Sequence, residues 1–312
     1  MSGLMAFPSN SLGGLLLSCL LATGSASGCF SPNTQEGLRC SPSGACPEGQ
    51  SCADDGTCYQ VGNAPTIDAG VDAITYECSA QTLAGGQAGA TTLDALDADS
   101  IYWSATGGTV VLRSPKVVGA VEVFHDSGVG KTPFSIATDA TAVYWTENDA
   151  LGRVMRKTKL SATADPALEL AVDQAEPSHL VLDDTHVYWT NSAAGTVNRV
   201  AKAGGTPEEL GAGQGKPTVL AIDETRLYWV NEDTGQIMRA DKDGNGQQQL
   251  AGAQGSPSDI AISEDTVFWA LNQDNEIRRV GKEGGAVTTL LSGQAGVSEL
   301  TVGGGHLYWS TD

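Results

Sequence analysis

Few residues in this sequence have types and spacings suited to chemistry. The four histidines, at 125, 179, 186 and 306, are not clustered, and no His-Glu-x-x-His zinc-binding pattern occurs. Asp241-Lys-Asp243-Gly-Asn245-Gly246 begins like a calcium loop, but such a loop needs a bidentate Glu at its twelfth position. Gly252 stands there, so the segment reads as a hairpin turn. Neither a Gly-x-Ser-x-Gly nucleophile elbow nor a phosphate-cradling glycine loop is present, and no catalytic residue, metal ligand set or cofactor is assigned. What remains is His179, Asp259 and Glu299, which carry donor types that a cation accepts, and the polar residues Glu147, Asn191 and Asn231. Whether these six meet depends on the elements that carry them.

The cysteines do a different job. Cys40, Cys46, Cys52 and Cys58 are each separated by five residues of turn-rich sequence with almost no core-forming side chains. So short a stretch buries too little apolar surface to fold unaided, and disulfides in an oxidising compartment are the expected staples. Zinc is the alternative, but CxxC pairs are absent and no histidine is near. The pairing is not deducible from spacing.

Upstream, Leu12 to Ala22 is an apolar run too short to span a membrane as a helix, and small residues follow it. This is the layout of an export signal, covering residues 1–28. Ala26-Ser27-Gly28-Cys29 resembles the lipobox of bacterial lipoproteins, which implies acylation of Cys29; cleavage after Ser27 is the rival. Acylation would leave an odd number of cysteines, and a third disulfide at Cys29 would remove that problem. Residues 29–60 form the cysteine module, 61–77 an acidic Gly/Ala/Asp spacer, and 78–312 the main body. The formal net charge of −20 argues against nucleic acid or an anionic membrane as partner, leaving membrane attachment only through an N-terminal lipid.

The main body is a repeat. An aromatic pair recurs as Tyr102-Trp103, Tyr144-Trp145, Tyr188-Trp189, Tyr228-Trp229, Phe268-Trp269 and Tyr308-Trp309, at intervals of 40 to 44 residues, and uses every tryptophan in the chain. That period with short strand-like segments predicts an all-β fold, a six-bladed β-propeller of four-stranded blades with almost no helix. Within one repeat the strands are expected at 218–223, 226–231, 236–241 and 247–251, with Pro217 just ahead of the innermost. Neighbouring strand residues face opposite sides, so each Tyr-Trp pair should fill the gaps towards both adjacent blades. An Arg-x-x-Lys pattern on the third strand, with Asp97, Asp139, Asp183 and Asp223 near the first, suggests ion pairs between blades.

Tyr188-Trp-Thr-Asn191, Tyr228-Trp-Val-Asn231 and Gly235-Gln-Ile-Met-Arg-Ala-Asp-Lys-Asp-Gly244 resemble the YWTD repeats of the low-density lipoprotein receptor family. The resemblance spans about residues 79–312 and implies the six-bladed propeller, without carrying receptor function. The family's Asp after Thr is mostly replaced here, by Glu147, Asn191 and Asn231. Leu83 to Leu93 aligns without a gap to Leu290 to Leu300, so residues 79–84 are expected to supply an outer strand to the last blade and close the ring.

The entrance to each innermost strand varies, as Thr92, Ser135, His179, Val219, Asp259 and Glu299, while packing positions repeat. These residues and the loops after the aromatic pairs should share one face, the expected ligand-binding face, with Glu147, Asn191 and Asn231 in its loops. Substituting Asp259 and Glu299 should then cost little stability. The function expected is an exported or surface-anchored monomer, a bacterial outer-membrane lipoprotein or a secreted or periplasmic protein, that binds an unidentified protein or glycan without catalysis. The alternative is a metal-dependent hydrolase or lyase with its site in the central channel, as the resemblance to lactonase-like six-bladed propellers implies.

Overall fold

A computed structural model describes residues 50–52, 58–60, 90–96, 99–105, 108–116, 120–293, 295–303 and 305–311. The chain divides into two units. In the N-terminal unit a hairpin pairs β1 (Gln50–Cys52) with β2 (Cys58–Gln60), with Cys52 opposite Cys58 in the register. Cys29, Cys40, Cys46, the export segment and the spacer lie outside the described residues.

The second unit is built from antiparallel sheets, with no helix among the described residues. The first sheet is β3 (Ala90–Leu96), β4 (Ser100–Ala105), β5 (Val110–Pro115) and β6 (Glu122–Asp126). The second is β7 (Pro133–Thr138), β8 (Ala142–Glu147), β9 (Gly152–Thr158) and β10 (Leu168–Gln174). The third is β11 (Pro177–Leu182), β12 (His186–Asn191), β13 (Thr196–Ala201) and β14 (Glu208–Gly211). The fourth is β15 (Pro217–Ile222), β16 (Arg226–Asn231), β17 (Gln236–Asp241) and β18 (Gln248–Ala251), each within a residue of its expected bounds. The fifth is β19 (Pro257–Ile262), β20 (Thr266–Leu271), β21 (Glu276–Gly281) and β22 (Thr288–Ser292), and β23 (Val297–Gly303) pairs with β24 (His306–Thr311). Each opening proline is the first residue of its strand, where a missing N–H removes no ladder bond.

Opening strands touch in succession, β3 to β7, β7 to β11, β11 to β15, β15 to β19 and β19 to β23. The core lies between sheets, and the aromatic pairs make it. Trp145 of the second sheet packs in one buried cluster with Tyr102 of the first, Trp189 with Tyr144, Trp229 with Tyr188, and Trp269 with Tyr228. Each of these four Trp therefore faces the preceding sheet and each of these four Tyr the following one, as strand alternation requires.

Opposite the strand openings, an aspartate fastens the turn between the first two strands of a sheet. Asp183 Oδ1 accepts the N–H groups of Thr185 and His186, and Oδ2 accepts the Tyr188 hydroxyl at 2.8 Å. The Lys242 ammonium of the next sheet lies 3.3 Å from the same carboxylate, and Asp139 with Lys202 and Asp223 with Lys282 repeat the pairing. The expected inter-sheet ion pairs with aspartate are thus made by the lysines. The arginines cap carbonyls of the following sheet, Arg113 on Lys159, Arg199 on Lys242 and Arg239 on Lys282, and Arg239 also pairs across the boundary with Glu283 at 2.8 Å.

Candidate functional site

Two of the third residues of the opening strands, expected to be free for a ligand, bridge to the next sheet. Ser135 Oγ accepts the Leu180 N–H at 3.2 Å, and Asp259 Oδ2 accepts the Leu300 N–H at 2.5 Å. His179 does not repeat this: its Leu220 backbone contact raises the imidazole against burial, the opposite of accepting an amide N–H. In both bonds the partner is the fourth residue of the next opening strand. Its neighbour below is served by the second-strand threonine: Thr146 Oγ1 accepts the Ser135 N–H and donates to the Ser178 carbonyl at 2.7 Å, and Thr190 donates to the Thr218 carbonyl.

Burial drives the His179 imidazole down to about 4, opposed only by its Leu220 backbone contact. Its Nδ1 is enclosed without a hydrogen-bond partner among the described residues, while part of the ring remains accessible. Asp259 is half-buried and Glu299 exposed on β23. Among the described residues no three His, Cys, Asp or Glu side chains form a group able to hold a metal. Because Asp259 secures an amide of the next sheet, its replacement carries a cost in stability that its variability in sequence does not suggest.

Glu147, Asn191 and Asn231 occupy different ground from the loops expected. Each is the last residue of a second strand and is buried beneath the loop, and Glu147 and Asn191 there accept from an indole. Trp189 Nε1 donates to Asn191 Oδ1 and to Gln174 Oε1, both at 3.1 Å, and Asn191 Nδ2 donates to the same Gln174 oxygen. Trp229, Gln214 and Asn231 repeat the glutamine contacts. Glu147 instead accepts from Trp145 and from Arg153 Nε at 2.6 Å. The glutamines were legible in sequence as Gln-x-x-Pro before each of β11, β15 and β19.

Above these buried groups lies an open groove of about 380 Å³. Glu176, Ser192, Gln214, Lys216 and Asp233 line it, and Ala193 and Ala194 supply an apolar portion. The loops that form it interlock: Ser192 N–H donates to the Glu176 carbonyl, Glu232 N–H to the Lys216 carbonyl, and Lys216 Nζ reaches Glu232 at 3.0 Å. Glu176 and Lys216 hold φ at 54° and 56°, a region costing a non-glycine residue roughly 1–2 kcal/mol. At the same place before β23 stands Gly296, at φ 70°.

No protein-family model matches the chain, and no curated protein matches it. Solved structures do. A streptogramin B lyase structure aligns over 90% of this chain and 92% of its own, with a TM-score of 0.58 and 15% identity. Virginiamycin B lyase from Staphylococcus aureus aligns over 68% of this chain and 73% of its own, with a TM-score of 0.58 and 14% identity. A chain of a nidogen/laminin complex aligns over 68% and 84%, with a TM-score of 0.54 and 18% identity. The fold is a β-propeller. At these identities the likeness extends to the fold alone. In the propeller, the groove and the opening-strand residues belong to the same end of the sheets, because antiparallel connections alternate ends.

Proposed function

We propose that this chain is an exported, surface-anchored or secreted binding protein. Its YWTD-type propeller has six blades and is closed by residues 79–84, and it takes a protein or glycan on the face that carries the groove. The disulfide-stapled module and spacer hold it off its anchor, whether that is a lipid on Cys29 or none. The observation that carries the reading is the division of labour at this face. Ser135 and Asp259 are tied to the next sheet, whereas Glu176, Ser192, Lys216 and Asp233 line an open groove of mixed donors and acceptors. The left-handed Glu176 and Lys216 favour the same view, since strain of this kind concentrates where a ligand is held.

A hydrolase or lyase in the central channel is the second reading, favoured by the length of the alignment with streptogramin B lyase. It needs reactive side chains on the opening strands, and Asp259 among them is already engaged with the Leu300 amide.

The test applies the full-length protein to arrays of glycans and of peptides, alongside a Lys216→Ala/Asp233→Ala variant and an outer-strand control, Gln248→Ala. Binding lost only in the double variant supports the groove face. Binding lost only in the control moves the site to the rim. A stoichiometric divalent ion together with turnover of lactone substrates would replace the binding reading with the second one.

A further inference from the structure

One sheet departs from the others on this face, and in a single direction. Four residues before each opening strand stand Val129, Asp173, Gly213, Ala253 and Gly293, so only the second sheet has a large apolar residue there. At the second position of the strand the series is Phe134, Ser178, Thr218, Ser258 and Ser298. The β8–β9 turn is one residue longer than β12–β13, with Glu147 opposite Arg153 where Asn191 faces Thr196, and it carries Leu151. The corresponding turns, Ser192 to Gly195, Glu232 to Gly235 and Asn272 to Asn275, hold no large apolar side chain.

All three departures face solvent. Val129 is fully exposed, Leu151 is 65% exposed and Phe134 41%. They are also held in place. Gly128 and Gly130, at φ 82° and 78°, flank Val129 and project it from a turn whose base is fixed by Asp126 accepting the Gly128 N–H. Lys131 Nζ joins the two loops, donating to Asp149 at 3.1 Å and to the Leu151 carbonyl at 3.1 Å. Solitary exposed apolar residues are ordinary on protein surfaces; three at one end of a single sheet, on segments that the Lys131–Asp149 pair links, are the pattern of an interface anchor.

The surroundings decide the occupant. The loops of this face carry Asp126, Asp173, Glu176 and Asp233 against Lys131 and Lys216, and both ammonium groups are already paired. A second copy of a chain of net charge −20 would be repelled, as would an anionic membrane. We propose that Val129, Phe134 and Leu151 form the docking patch for a cationic polypeptide segment that places apolar side chains over them and Lys or Arg over the flanking carboxylates. This rests on the binding reading above and names the class of partner.

The experiment uses full-length protein and two sets of synthetic peptides with identical Leu, Phe and Val content, one with Lys/Arg and one with Glu/Asp between them. Phosphatidylcholine vesicles, with and without phosphatidylglycerol, serve as further probes. Retention of the Lys/Arg set is expected, with affinity falling about tenfold or more in Val129→Ser/Leu151→Ser and weakening as salt rises. Phe134→Ser should act in the same direction. Leu160→Ser, which removes a fully exposed leucine from the β9–β10 connection at the opposite end, should change nothing. Equal retention of both peptide sets, retention unaffected by the double variant, binding to vesicles only, or self-association abolished by the variant would each overturn the patch while leaving a binding protein. Failure of every probe also overturns it; the binding reading itself falls only if metal-dependent turnover accompanies that failure.

Discussion

The boundary between the first and second sheets and the boundary between the second and third place the same indole at the same point, yet satisfy it differently. Between the second and third, the neutral amides of Gln174 and Asn191 share the Trp189 N–H. Between the first and second, Gly130 stands where the glutamine would be, Glu147 replaces the asparagine, and Arg153 neutralises it, with the His125 ring 4.9 Å from Trp145. The boundary ahead of the fifth sheet is a third case. Arg278 occupies the Gln254 oxygen, Leu271 replaces the asparagine, and Trp269 Nε1 is buried without a partner among the described residues. Packing of the ring is held constant while its hydrogen bond is solved in coupled, local ways. That is the expected outcome when apolar burial supplies several times the energy of one polar contact.

Truncation of the ring itself should therefore erase the difference between boundaries. Trp189→Ala and Trp145→Ala are both expected to cost about 3–5 kcal/mol, read from urea midpoints. A loss below about 1 kcal/mol at either would show that the indole there is not core.

The polar solutions should separate the boundaries. Glu147→Asn leaves Arg153 short of a partner and should cost about 2 kcal/mol, part of which Glu147→Asn/Arg153→Thr recovers. Asn191→Ala should cost about 1 kcal/mol, with no arginine to compensate. A cycle showing no coupling between Glu147 and Arg153 would mean that the ion pair is incidental.

Acid distinguishes another pair of positions. Partial burial raises the Asp183 carboxyl, but the Thr185 and His186 amides and the Tyr188 hydroxyl outweigh it and hold the group well below the usual range. Asp139 and Asp223 are depressed likewise, with a lysine ammonium the leading hydrogen bond against burial. A depressed carboxyl contributes stability that is complete above its unfolded value, about 3.9, and is lost as pH falls towards its folded one. His179 acts at higher pH. Its neutral form is preferred in the fold, so stability falls as pH drops from about 6.5 to about 4. His179→Val, the residue at the same place in the next sheet, should flatten the melting temperature between those values and leave the steeper loss below pH 4 intact. An unchanged profile would show that the imidazole is solvated.

The smallest effect is expected ahead of the fifth sheet. Arg278→Met copies Met238, frees the Gln254 oxygen for Trp269, and should raise stability by about 0.5–1 kcal/mol after the loss of its pairs with Glu276 and Asp274. A fall in melting temperature would assign those surface pairs more weight than the indole.

The sequence carried the fold well because the aromatic pair reports strand, face and period at once. The fourth sheet, Pro217 to Ala251, differs from its expected strands by single residues at three ends. The coupled loss of Asp and hydroxyl was also legible. Ser263 replaces the turn aspartate in the very repeat where Phe268 replaces Tyr, so both ends of that hydrogen bond vanish together. The candidate site was harder to read. Variability at Ser135 and Asp259 looked like freedom from packing, but a carboxylate and a serine hydroxyl can each hold a backbone group, and sequence alone does not reveal a hydrogen bond to the next sheet. Glu147 and Asn191 lie one residue beyond the Tyr-Trp-Thr triplet, and whether such a residue points up into a loop or down under it depends on where the strand ends.

Because Trp145, Trp189, Trp229 and Trp269 each belong to a cluster shared with the preceding sheet, the unit that is covalently continuous and the unit that is packed are out of phase. Drawn apart mechanically, the chain could not shed one sheet cleanly: releasing a strand quartet bares an indole on one flank and a phenol on the other. Rupture should come as a ladder of events, each freeing one repeat of about 40 residues, or roughly 130–145 Å of contour length. Each event would also unseat half the packing of the sheet beside it, so later events in the ladder should need less force than the first.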